Sequence, residues 1–269
     1  GLNKILTGTF FQKKPAHMIT ESDMRSMLRR YSGTQMVSNF RPTAAAAMYD
    51  VFVEKDSVLE GTKAGIVWDP SMGYGGRLLG AIVAGVNYVG TDPCIPTHTG
   101  LKQIRHDYGI VDKLYKLLRQ GSETFIPREE SFDFVFTSPP YFGWEAYGEE
   151  PEQSSIKFDT EDMWKEHFLK KTIANAYIGL KTGKYLALNV ANTKQYKTFE
   201  EDTVQMAKDV GFEHTDTWWL SLSTQQGTPQ VITLDGDTTE KKQKQQYMGE
   251  YKRPDIEGRK FEPTFIFKK

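Results

Sequence analysis

The chain has 269 residues and a mass of 30.7 kDa, enough for one large α/β domain, or one domain with a small appendage, with a substantial core. Its 34 basic and 35 acidic residues leave a formal net charge of -1, so no global field argues for or against a polyanionic partner, and only local patches can. The single cysteine, Cys94, excludes an internal disulfide and any multi-cysteine metal centre and fits a reducing cytoplasm, and no run reaches the ~20 apolar residues of a spanning helix.

Residues 1–36 read as a polar, basic extension. A short helix opens in it at Thr20, with Asp23 three residues on completing a pair like a capping box, and Arg25, Arg29 and Arg30 decorate it. Such a helix is a solvated face or a phosphate contact. Pro42 then opens an alanine-rich helix that runs to Phe52. Next come a strand at Gly65–Asp69, the loop Pro70-Ser71-Met72-Gly73-Tyr74-Gly75-Gly76, a helix at Arg77–Val86 and a strand at Tyr88–Asp92. Glycines let backbone approach a ligand closely, and an acidic residue about 20 positions later, ending the second strand, can accept hydrogen bonds from ribose hydroxyls. Asp92 stands there, so the unit reads as a nucleoside-binding half-site, although a plain tight turn uses the same glycines.

Pro96–Arg119 reads as helical, with Leu101, Ile104, Tyr108, Leu114, Leu117 and Leu118 as its apolar face, and Gly121-Ser122-Glu123 leads into a short third strand around Phe125. A fourth strand follows at Phe132–Phe136. Residues 143–162 form a long polar loop with seven carboxylates from Glu145 to Asp162. Met163–Leu180 is a helix, Gly183–Val190 the fifth strand, Phe199–Val210 another helix, and Thr217–Leu222 and Glu262–Lys269 the sixth and seventh strands. Between the last two, residues 223–260 make a polar insertion without apolar periodicity, in which Lys241, Lys242, Lys244, Lys252, Arg253, Arg259 and Lys260 alternate with carboxylates and with Tyr247 and Tyr251. That mixture suits a phosphate backbone or a solvated excursion. With no internal repeat and no separable second domain, 1–269 reads as a single domain.

The fourth strand stops abruptly in Thr137-Ser138-Pro139-Pro140-Tyr141-Phe142. Proline fixes its own φ and biases the residue before it towards extended geometry, so Ser138 and Pro139 are held nearly straight with carbonyls that the local backbone does not satisfy. Rigid acceptors beside the flat faces of Tyr141 and Phe142 suit a planar, amino-bearing ring such as a nucleobase.

Three pieces, Asp69-Pro70-Ser71-Met72-Gly73-Tyr74-Gly75-Gly76, Asp92, and Thr137-Ser138-Pro139-Pro140-Tyr141, together resemble the amino-methylating DNA methyltransferases, which use S-adenosylmethionine. The likeness spans roughly residues 37–189 and the closing strand. It implies a Rossmann-like α/β fold: a seven-stranded, mostly parallel sheet with helices on both faces and an antiparallel final hairpin. It further implies that Asp69, Pro70, Gly73 and Gly75 line the methionine side of S-adenosyl-L-methionine, that Asp92 binds its ribose, that Ser122 or Glu123 lies near its adenine, and that Phe40 and Arg41, with Pro42, pack over its tail. Ser138, Pro139, Pro140 and Tyr141 would receive the target base, flipped out of double-stranded DNA, with Phe142 or Trp144 nearby. The serine version of the corner is commonest among enzymes that make N4-methylcytosine, which puts cytosine N4 ahead of adenine N6.

The chemistry agrees with these residue types. An exocyclic amine is a poor nucleophile because its lone pair is delocalised into the ring, and two acceptors, the Ser138 hydroxyl and the Pro139 carbonyl, can take its hydrogens and favour a pyramidal nitrogen. Ring-carbon methylation of cytosine needs a cysteine on the fourth-strand loop, whereas Cys94 follows the second strand. A nicotinamide-dependent dehydrogenase wants a third glycine where Leu78 stands. An RNA amino-methyltransferase and a non-catalytic nucleic-acid-binding protein that kept the fold remain alternatives. Members of that family of this size often lack a large recognition domain, so the resemblance leaves open a homodimer or modest specificity, and residues 143–162, 223–260 and the amino-terminal helix are the candidates for reading DNA sequence.

Overall fold

The computed structural model describes residues 39–54, 64–108, 113–143, 150–222, 254 and 260–269. The basic extension, Trp144 and nearly all of the polar insertion lie outside these residues. The chain divides at Asn39/Phe40, and the sheet, its helices and the candidate site all belong to Phe40–Lys269.

Seven strands form one sheet: β1 (Ile66–Asp69), β2 (Asn87–Thr91), β3 (Tyr115–Leu118), β4 (Phe132–Thr137), β5 (Leu180–Asn189), β6 (Glu213–Ser221) and β7 (Phe261–Lys268), in the order β3-β2-β1-β4-β5-β7-β6. β1 to β5 pair in parallel, and β7 lies antiparallel to both β5 and β6, so the fold expectation, final hairpin included, is met. The helices are α1 (Pro42–Phe52), α2 (Gly76–Ala84), α3 (Ile95–Asp107), the single turn α4 (Ser154–Lys157), α5 (Glu161–Trp164), α6 (Lys170–Gly179) and α7 (Phe199–Val210), with a π-helical turn at Lys165–Leu169 joining α5 to α6.

Alternate side chains of a strand point to opposite faces, and the buried strand residues here sort accordingly into two cores. Val67, Phe134, Phe136, Ala187 and Ile266 pack with Tyr49 of α1, Leu78 of α2 and Leu101 of α3. Trp68, Val135, Leu186, Leu188, Phe265 and Phe267 pack on the other face with Trp164, Phe168, Ile173 and Phe199. Because both faces are covered, β1 and β4 read as nearly unbroken apolar runs.

Three local expectations are corrected. Helix α3 ends at Asp107, and Tyr115–Leu118, expected within a helix, is the third strand, with Tyr115 and Leu117 buried and Lys116 exposed. The expected strand around Phe125 is irregular chain instead: Phe125 is held by its ring contacts with Trp68 at 5.0 Å and Phe132 at 6.4 Å. The stretch 143–162 is not one open loop, because Ser154–Lys157 makes a helical turn and α5 starts at Glu161, where the Thr160 hydroxyl accepts a bond from the Met163 N–H.

Candidate functional site

In an open α/β sheet, ligands bind beyond the carboxyl ends of the strands where the order reverses. Here β1 lies between β2 and β4, so the loops after these three strands stand side by side. Gly73 and Gly75 turn the chain out of β1 with φ of 48° and 89°, values that glycine adopts freely and other residues rarely do. Gly75 is the N-cap of α2 and offers no side-chain cap, and no acidic residue occupies the helix's first turn. Its amide donors and the positive end of its dipole are therefore directed at the loop.

Beneath the loop lies a buried ion pair. Asp69 is fully buried and accepts bonds from Arg77 Nε at 2.8 Å, the Tyr88 hydroxyl at 2.7 Å and the Ser71 N–H at 3.3 Å. The Arg77 guanidinium also donates to the Ser71 carbonyl and lies over the rings of Phe40 at 5.6 Å and Phe136 at 6.0 Å. The Asp69 carboxylate thus shapes the loop from below, and a variant that removes one partner of such a buried pair loses about 3–5 kcal/mol. Burial, then the Asp69 charge, pushes the phenols of Tyr88 and Tyr49 up, and the Tyr49 hydroxyl has no hydrogen-bond partner among the described residues. Pro70 is buried, and its carbonyl accepts a bond from the Thr91 hydroxyl at 2.7 Å.

Asp92 ends β2 and faces this loop. Its carboxylate accepts the Gly73 N–H at 3.1 Å and the Cys94 N–H at 2.9 Å. Burial nevertheless pushes its pKa up to about 6, against the two amide bonds that lower it. Further donors, such as a pair of vicinal hydroxyls, would relieve that cost. Cys94 itself is buried beside Asp92, away from the corner after β4.

After β3, Ser122 is buried, and its hydroxyl shares a 2.8 Å bond with Thr172 of α6. Asn175 donates to the Ser122 and Glu123 carbonyls at 3.0 and 3.3 Å, and the Glu123 carboxylate pairs with Lys157 at 2.8 Å. The Ser122 side chain therefore serves as an anchor for this turn. Sequence reading missed the segment that crosses here: Glu150 accepts a bond from the Ile95 N–H at 3.2 Å at the start of α3, and Lys157 reaches Glu123. Its only signal is a charge pattern within a polar, loop-like stretch. Phe40 packs edge-on against Phe136 with 5.2 Å between ring centroids, whereas Arg41 is exposed at the N-cap of α1.

At the corner, Pro139 is buried and Ser138, Pro140 and Tyr141 are half-buried. The Ser138 Oγ and the Pro139 carbonyl make no hydrogen bond to any described residue. The Tyr141 hydroxyl accepts the Ala191 N–H at 3.1 Å, and its ring meets Phe199 edge-to-face at 5.2 Å. Phe142 packs inward, 6.0 Å from Trp164. The Ser71 N–H also donates to the Thr137 Oγ1 at 3.2 Å, which joins the glycine loop to the strand end that carries the corner. A pocket of about 240 Å³ lies between the glycine loop and α3, lined by Tyr74, Cys94, Pro96, Thr97, Gly100, Leu101 and Ile104. Among the described residues no cluster of His, Cys, Asp and Glu could hold a metal ion, and no helix is long and apolar enough to cross a membrane.

No protein-family model matches the chain, and no curated protein matches it either. Solved structures do. A TehB-like SAM-dependent methyltransferase from Corynebacterium glutamicum aligns over 92% of this chain and 96% of its own at 14% identity and a TM-score of 0.47. A SAM-dependent O-methyltransferase from Thermotoga maritima aligns over 90% of this chain and 69% of its own at 14% identity and a TM-score of 0.47. With a Methanococcus maripaludis protein, at 13% identity and a TM-score of 0.38, the alignment covers 62% of this chain and spans 63% of that protein's length.

Proposed function

We propose that the chain is an S-adenosylmethionine-dependent methyltransferase acting on the exocyclic amino group of a DNA base, cytosine N4 ahead of adenine N6. The observation that carries the reading is the juxtaposition of the two half-sites: the glycine loop facing Asp92, and the corner with its unengaged acceptors, tied together through Ser71 and Thr137. The residues present fit the cofactor. The uncapped end of α2 and the loop around Gly73 suit its carboxylate, Asp92 its ribose hydroxyls, and the turn at Ser122–Glu123 its adenine. Bound there, S-adenosylmethionine supplies an electrophilic sulfonium methyl group.

The rest is positioning by the chain itself. The Ser138 Oγ and the Pro139 carbonyl accept the two hydrogens of the amine and draw its lone pair out of conjugation, and the prolines hold both acceptors still. No strong base is required, because the methylated amine is cationic and yields a proton to solvent. Tyr141, fixed at its hydroxyl by the Ala191 N–H and at its ring by Phe199, is a rigid wall for the flipped base rather than a mobile stacking arm.

Two measurements test this. Titration calorimetry with S-adenosylmethionine is expected to give saturable binding, and none in any salt or with any DNA present would end the catalytic reading. Incubation of DNA, and separately RNA, with labelled cofactor, followed by digestion to nucleosides and mass analysis, is expected to yield N4-methylcytidine or N6-methyladenosine in the deoxy series. Label in ribonucleosides alone would move the substrate to RNA.

A further inference from the structure

The corner's open side is bordered by a turn that the sequence did not single out. The chain leaving β5 passes Tyr141 at Ala191 and then folds on itself: the Thr193 N–H donates to the Tyr196 carbonyl at 2.9 Å and the Tyr196 N–H donates to the Thr193 Oγ1 at 2.9 Å. Tyr196 is buried and stacked on Phe199 at 4.8 Å, so the turn is nailed to the core from beneath. At its base, Asn192 and Glu200 exchange two 2.8 Å bonds, Asn192 N–H to Glu200 carboxylate and Glu200 N–H to Asn192 side-chain oxygen. Lys194, Gln195 and Lys197 are left exposed on this frame. Gln195 lies against Gly143, the last described residue of the corner, where a Cβ on the glycine would stand 3.9 Å from the glutamine side chain.

The charges around the turn are unequally engaged. Of the nearby carboxylates, Glu200 and Glu201 hold Asn192, and Asp202 receives Lys165, the Tyr196 hydroxyl and the Thr198 hydroxyl. Lys165, which lies over the Tyr196 ring, is likewise ion-paired, to Glu161 and Asp202. Lys194 and Lys197 make no ion pair or hydrogen bond with any described residue. Two cations on a preorganised turn beside the corner suit the need that a flipped nucleotide poses, since its flanking phosphates must be held while the base is out of the stack.

We propose that the turn Thr193–Lys197 is a phosphate-contact site for duplex DNA, with Lys194 and Lys197 neutralising phosphates that flank the extruded base. The inference rests on the DNA reading above and goes beyond it by naming the residues that grip the strand. It predicts a particular electrostatic signature, because each phosphate neutralised releases condensed counterions, and the slope of log affinity against log salt falls by about 0.9 for each phosphate that a variant no longer neutralises.

The test is the salt dependence of binding to a short duplex by wild type, by Lys194→Gln/Lys197→Gln, and by Lys113→Gln/Lys116→Gln, whose lysines lie by edge strand β3. The expected result is a slope smaller by about 1 to 2 in the first double variant alone, with both variants keeping the wild-type melting temperature. Wild-type slope in the first variant, or an equal loss in both, overturns the proposal for this turn while leaving the DNA reading intact. No measurable duplex binding by wild type overturns both, and a slope change seen on RNA but not on duplex DNA overturns the assignment to duplex.

Discussion

The Ser138 Oγ sits half-buried with no partner among the described residues; on the proposed function it accepts from the incoming amine, so Ser138→Ala is expected to lower kcat by about 10- to 100-fold, the worth of one lost hydrogen bond of about 1–3 kcal/mol in the transition state. DNA affinity should hold, and comparing kcat with Kd for the variant decides the matter: unchanged kcat removes Ser138 from the chemistry. Asp92 has two amide donors, which do not offset its burial. Burial raises its folded pKa to about 6, above the 3.8 of a free carboxyl. Its contribution to stability is therefore fully present below the unfolded pKa and is lost as pH rises from about 4 to 6, since the unfolded chain releases the proton first. Hydroxyl donors favour the charged form, so cofactor affinity should climb with pH up to about 6 and then level off, with net proton release on binding near pH 6. Calorimetry in buffers of different ionisation enthalpy reads the proton count, and a pH-independent affinity between 5 and 8 would exclude Asp92 as the ribose acceptor.

Among the described helices, α1 and α2 touch most intimately. Gly80 of α2 has Ala45 directly above it: a Cβ there would stand 2.5 Å from the Ala45 Cβ and 2.9 Å from the Ala46 nitrogen and from the Pro42 carbonyl. Two of those atoms are backbone, so the helices must part. Gly80→Ala is expected to destabilise by about 1–3 kcal/mol despite alanine's better helix propensity, a drop of several degrees in Tm by calorimetry. A stabilised variant would mean that the helices separate easily.

Legibility followed element length and chemistry. α7 was readable residue for residue because Phe199, Thr203, Val204 and Ala207 repeat with helical spacing and Gly211 stops it with φ of 117°. The β1 loop, Asp92 and the Pro-Pro corner were readable because glycine, proline and acid at fixed spacing each carry a backbone or charge requirement. β3 was not: at four residues it is too short to display alternation, and its leucines fell in phase with Leu101 and Ile104 of the preceding helix. The turn at Thr193–Tyr196 was invisible for a different reason, since nothing in Thr-Lys-Gln-Tyr-Lys states that its neighbour in space is Gly143, about 50 residues away. Nor did Ser122 announce that its hydroxyl would go to Thr172.

At the scale of the whole molecule, the sheet separates two cores and carries the site along one rim, so chemistry and stability sit on different parts of the same strands. β4 does both, with Phe134, Phe136 and Val135 buried to the two sides and the corner at its end. The single bond from the Ser71 N–H to the Thr137 Oγ1 therefore has a consequence that is thermodynamic rather than structural. On the proposed function this strut would couple the two ligand sites, and linkage is symmetric: the factor by which DNA changes cofactor affinity would equal the factor by which cofactor changes DNA affinity. Thr137→Val removes the acceptor and should shrink both factors together, measured as the four dissociation constants of the binding square. If the square is unaltered, the two halves of the proposed site act independently, and binding the cofactor first would bring no gain in DNA affinity.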